Sequence, residues 1–131
     1  NIANVGFVSM AQSVKVDITG ASHLNQVCAV IPANSQIVDV ILNVTTANDD
    51  TTASTVSVGT IADADAFIAS ESVQALGTTH GTLDTEATNV GATDIQVLAD
   101  FTATDGDGTA GVGTVTVMYI QNNSVQDAAD L

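Results

Sequence analysis

From Gln36 onward the chain alternates: Val38, Val40, Leu42 and Val44 interleave with Asp39, Ile41, Asn43 and Thr45. Side chains of a strand point to opposite faces with period two, so this run predicts a half-buried strand and not a helix. The turn cluster Pro32-Ala33-Asn34-Ser35 precedes it, and the polar run Asn48-Asp49-Asp50-Thr51-Thr52 breaks it. Proline presets φ, and Asn, Asp and Ser side chains bond nearby backbone, which is what turns require. The alternation resumes at Val56 and Val58 and stops at Gly59. The same pattern marks Val14, Val16 and Ile18 ending at Gly20, a short strand over Gln26–Ile31, a strand through Ile95, Val97, Ala99 and Phe101, and a last one over Thr114–Ile120 with Val115, Val117 and Tyr119 on one face.

Between these runs the pattern weakens. Residues Ile61–Ala69 are Ala-rich with early Asp, which suits a single turn, a short helix or a polar strand. Val73–Leu76 reads as a short extended piece. Gly77–Thr93 reads as a long surface loop with an edge strand near Thr85–Val90. Residues 1–13 hold Ile2, Val5, Phe7, Val8 and Met10 without a period, as an edge strand or an arm reaching a neighbour would. The expected organisation is an N-terminal arm or edge strand (1–13), a sandwich domain (14–120) and a polar C-terminal tail (121–131).

About seven or eight strands with at most one helical turn predict an all-β chain, best arranged as a β-sandwich of jelly-roll type. An immunoglobulin-like sandwich is the second choice, since its Cys…Trp…Cys pattern is missing. Composition agrees. Apolar residues make up 45% of the 131 but aromatic ones only 3%, so the core must be built from Val, Ile, Ala and Leu. The size fits one domain that buries roughly two-thirds of its unfolded surface.

Charge removes whole classes of function. One Lys, no Arg and 15 acids give a formal net charge of −14. Nucleic acid needs cationic side chains at its phosphates, and an anionic membrane surface needs them too, so neither is an expected partner. No run is long and apolar enough to cross a bilayer. Cys28, the only cysteine, sits in Val27-Cys28-Ala29-Val30 and reads as a small buried hydrophobe.

Candidate chemistry is sparse. Asp105-Gly106-Asp107-Gly108 spaces two carboxylates as calcium loops do, but it lacks a third acid and the bidentate Glu, so a hairpin turn is the favoured reading. Asp49-Asp50 and Asp63/Asp65 read as solvated acids. His23 and His80 lie in loop-like contexts, and no nucleophile elbow or zinc-ligand spacing accompanies them. No cofactor, metal or catalytic set is expected, and the chain reads as a non-enzyme. One pattern stands out. Ile37 and Ile41, opposite the Val38 face, together with Leu98, Met118 and Ile120, put apolar side chains on outward positions of several strands. With Ile2, Val5 and Phe7 of the arm, they are the candidate oligomer or capsid interface.

The stretches IPANSQIVDVILNVTTANDDTTASTVSVGTIADADAFIAS and DIQVLADFTATDGDGTAGVGTVTVMYIQ resemble small structural proteins of tailed bacteriophages, the capsid decoration, cement or capsid-associated fibre proteins. The resemblance covers about half the chain and consists of turns and strands. It implies a virion component without catalytic residues, a homo-oligomer, typically a trimer, on the outer capsid surface and in contact with the major capsid protein. A fibre or knob module that binds a host glycan is the alternative it leaves open.

Overall fold

The structure, a computed structural model, describes residues 7–83 and 90–122. Eight strands are present among them: β1 (Phe7–Val16), β2 (His23–Ile31), β3 (Gln36–Thr46), β4 (Ser54–Gly59), β5 (Ile68–Ser72), β6 (Gly77–His80), β7 (Ile95–Ala103) and β8 (Val112–Asn122). They form two four-stranded sheets, in the orders β1-β8-β3-β6 and β2-β7-β4-β5. Every pairing is antiparallel. The pairs β1·β8, β2·β7, β3·β6 and β4·β5 are the rungs of one long ribbon, which folds over so that β8 lies beside β3 and β7 beside β4. That winding is the jelly roll. An immunoglobulin sandwich would pair its first and second strands, which here lie in different sheets.

The two inner faces share one core. Val40, Leu42, Val44, Val97, Phe101, Val115, Val117 and Tyr119 are all buried in it, as the alternation predicts. Val38 is not. The β3–β8 register slips between Ile37↔Tyr119 and Asp39↔Met118, so β3 carries an extra residue there. A bulge sets two residues against one and turns the facing of everything before it. Ile37 therefore points inward at 0% exposure and Val38 outward at 38%.

Leu98 is also buried, although it sits opposite the core-facing side of β7. Its cross-strand partners are Val27 and Gly59. A Cβ on Gly59 would stand 2.2 Å from the Asp63 carbonyl oxygen, so the backbone after β4 folds down over that face of the sheet. This backbone is a turn: the Asp63 carbonyl accepts from Thr60 N at 2.8 Å and from Ala66 N at 3.3 Å.

Two stretches without alternation are strands. β1 runs unbroken from Phe7, so the expected boundary at residue 13 falls inside it. Its period is hidden by Gln12, a polar residue on the inner register opposite Val117. The Gln12 amide donates to the Val30 carbonyl at 2.8 Å and to the Tyr119 hydroxyl at 2.9 Å, while Val30 N donates back to it at 3.2 Å. It thereby satisfies the open edge of β2 across the gap between the sheets. β6, within the expected loop, pairs Ile41–Val44 of β3. As an edge strand with largely exposed side chains it needs ladder bonds and no apolar pattern. Residues 1–6 and the expected edge strand near Thr85–Val90, save Val90, lie outside the described residues, as does the tail from residue 123.

Phe101→Ala should cost about 3–5 kcal/mol, the usual penalty for emptying an aromatic site in a packed core, read from denaturant unfolding. The bulge gives a sharper check. Ile37→Ala should cost about 2–5 kcal/mol, whereas Val38→Ala should stay within about 0.5 kcal/mol. The reverse order would mean that β3 pairs without the bulge.

Candidate functional site

The structure gathers part of the expected interface set and disperses the rest. Ile41, Met118 and Ile120 are partly or well exposed on neighbouring strands of one sheet, and the bulge adds Val38. The register places Met118 opposite Asp39 and Ile120 opposite Gln36, towards the start of β3. Ile37 and Leu98 are withdrawn from the set, the first by the bulge and the second by the backbone over Gly59. Phe7 begins β1. Ile2 and Val5 fall outside the described residues.

The opposite end of the sandwich is built from acids. The β3–β4 and β7–β8 connections both pass from one sheet to the other there, so Asp105–Gly108 is a crossing and not a hairpin. A crossing removes backbone groups from the ladders, and side chains must replace the lost partners. Asn48, buried, donates from its side-chain amide to the Ile18 carbonyl at 2.7 Å and accepts from Asp50 N at 2.9 Å. The Asp49 carboxylate accepts from Thr109 N at 2.7 Å and Ala110 N at 2.9 Å. Asp107 accepts from Thr51 N at 2.8 Å and from the Thr51 hydroxyl, and Asp105 accepts from the Thr52 hydroxyl. Gly108 has no room for a side chain, since a Cβ would stand 2.9 Å from the Asn48 amide nitrogen.

Asp50 lies at the centre, with only 5% of its surface exposed. Its Oδ2 accepts from the Ser54 hydroxyl at 2.9 Å and from Gly106 N at 3.2 Å, while its Oδ1 has no partner. One carboxylate oxygen from each of Asp50, Asp105 and Asp107 lies within 4.8 Å of the others. The sequence supplied the Asp105/Asp107 pair, but the third acid comes from a loop distant in the chain, which no local spacing could reveal. The reading of Asp49-Asp50 as solvated acids is corrected for Asp50, which is buried; Asp49 is exposed, and its carboxylate also ties down two amides.

The remaining candidates are structural. His23 stacks on Phe101 with ring centroids 6.3 Å apart and pairs with Asp17 at 3.3 Å, and His80 pairs with Asp39 at 2.9 Å. Cys28 is buried, which pushes its thiol up to about 12 and makes it unreactive at neutral pH. A shallow depression of about 230 Å³ is lined by Val44, Glu71, Leu76 and Thr78 among others, with no ring to stack on a sugar.

The neighbouring Asp107 side chain, with the Ser54 hydroxyl and the Gly106 amide that donate to Oδ2, holds the Asp50 carboxyl down to about 2 against the opposing effect of burial. The Ala110 and Thr109 amides lower Asp49 in the same way. A folded value below the unfolded one, about 3.9 for aspartate, means stability present above that value and lost as pH falls through the folded one. The thermal midpoint should therefore drop between about pH 4 and pH 2. Asp50→Asn should show a lower midpoint at pH 7 and a shallower fall with acid. An equally steep fall in the variant would shift the acid sensitivity to other carboxylates.

No protein-family model matches the chain, and no curated protein matches it. Among solved structures, it is similar to a chain of the acidic stable capsid structure of Helicobacter pylori bacteriophage KHP30, at 18% identity and a TM-score of 0.65, over 86% of this chain and 87% of that one. A chain of the cyanophage Pam1 capsid asymmetric unit aligns at 15% identity and a TM-score of 0.62, over 92% and 89%. A chain of the capsid of Ralstonia phage GP4 aligns at 15% identity and a TM-score of 0.54, over 92% and 88%. At these identities the likeness is one of fold, and it runs nearly the full length of each partner.

Proposed function

We propose that the chain is a structural protein of a bacteriophage virion, a decoration or cement protein that sits on the outer capsid surface as a homo-oligomer, a trimer by the sequence resemblance, and braces the major capsid protein. The observation that carries this is the near-complete coverage, in both directions, by chains of three phage capsid structures. Two features of the chain support it. Its sheet outer face offers Val38, Ile41, Met118 and Ile120 as a small apolar strip. That strip lies toward the end of β8 away from the acidic crossings, with Val112 and Met118 about 20 Å apart at the usual rise of a strand. Contact can therefore be largely apolar, with Asp39 beside Met118 already paired to His80, while the acids of the crossings stay in water. The glycan-binding alternative wants an exposed aromatic ring, and of the four Phe and Tyr side chains three, Phe67, Phe101 and Tyr119, are buried.

Binding the assembled shell but not free coat subunits stabilises the shell by mass action. Virions that carry the chain should release their nucleic acid at a higher temperature than virions lacking it. Met118→Asp, at an exposed position, should weaken attachment while leaving the chain folded. Raised salt should leave attachment unchanged or strengthen it, because it screens repulsion between acids without touching an apolar contact. An unchanged disruption temperature would sink the cement role, and release at high salt would place the contact on the acidic end instead.

A further inference from the structure

The crossing loops hold something that the virion role does not use. Asp50, Asp105 and Asp107 bring three carboxylate oxygens within 4.8 Å of one another. Clusters of exposed acids are common, but this one contains a buried member. Asp50 is 5% exposed, and its Oδ1, a buried anionic acceptor, receives no donor. Buried polar atoms are nearly always partnered, and a buried charge more strictly so. The chain has little to offer it. Lys15 is the sole Lys or Arg and makes no ion pair among the described residues, while His23 and His80 are engaged by Asp17 and Asp39.

We propose that Asp50, Asp105 and Asp107 form a binding site for one divalent cation of the calcium type. All the candidate ligands are carboxylate oxygens, which suit a hard cation and not zinc or copper, for which thiolate or imidazole would be the usual donors. Calcium–oxygen bonds of about 2.3–2.6 Å put opposed ligands about 4.6–5.2 Å apart, so the observed spread fits. Magnesium bonds near 2.0–2.1 Å with a strict octahedron suit it less, since these ligands come from two separate irregular loops. The cation would tie the β3–β4 crossing to the β7–β8 crossing and so clamp one end of the two sheets together. This site does not depend on the virion reading and would exist in the isolated chain.

The test uses the purified full chain after chelator treatment and dialysis. Calorimetric titration with calcium chloride should show one ion per chain. The thermal midpoint should rise by several degrees in calcium, and sodium chloride at matched ionic strength should not reproduce the rise. Asp105→Asn, at an exposed position, should weaken calcium binding by roughly tenfold or more, as loss of a contributing group does. Asp65→Asn, which removes the same charge elsewhere, should leave it unchanged. Should Asp105→Asn not fold, equilibrium dialysis of the wild-type chain with calcium still decides on stoichiometry. No saturable uptake, a rise matched by sodium, or full affinity in a folded Asp105→Asn would each overturn the site. Magnesium binding as tightly as calcium would overturn the calcium assignment.

Discussion

Among the described residues, every connection between consecutive strands except β4–β5 leaves one sheet and enters the other. Each crossing takes amides and carbonyls out of the ladders, and a jelly roll closes only if other groups receive them. In this chain the replacements are short polar side chains. Asn48 holds the Ile18 carbonyl, Asp49 and Asp107 take amides from the facing loop, Asp94 accepts from Ala33 N at 2.9 Å, and Gln74 donates to the Asp50 and Thr52 carbonyls at 2.8 and 2.6 Å. Part of the chain's acidity is explained at this level. Aspartates serve as acceptors for orphaned N–H groups, as they do in caps and turns.

Four of the 15 acids gather at the facing β3–β4 and β7–β8 crossings, and that gives the sandwich a partial polarity. One end carries Asp49, Asp50, Asp105 and Asp107, while the outer face toward the other end carries Val38, Met118 and Ile120. A chain with a net charge of −14 can pack closely against copies of itself or a shell only where its charges are not crowded together. The apolar strip is such a place.

The core shows how few rings a sandwich needs. Phe67, Phe101 and Tyr119 are buried among Val, Ile, Leu and Ala, whose β-branched members are stiff at χ1 and suit a pleated surface. The polar ends of the inner face are handled individually. Tyr119 keeps its hydroxyl bonded to Gln12, and Gln12 in turn caps the β2 edge at Val30. One polar residue thus serves a buried phenol and an open strand edge together.

The period-two runs of β3, β4, β7 and β8 by themselves determined the fold class and most of the core, because inward and outward positions of a half-buried strand differ in polarity. Excess acid and missing Arg likewise excluded nucleic acid as an expected partner before any fold was known. Tertiary structure decided the rest, for three physical reasons. A bulge reverses facing without leaving a mark in composition, so Ile37 and Val38 exchanged places. Edge strands such as β6 are recruited by backbone bonds, which any sequence can make, so Gly77–His80 carried no signal. And the carboxylate cluster joins Asp50 to Asp105 and Asp107 across two crossings, a proximity that belongs to the winding of the ribbon and not to spacing along the chain.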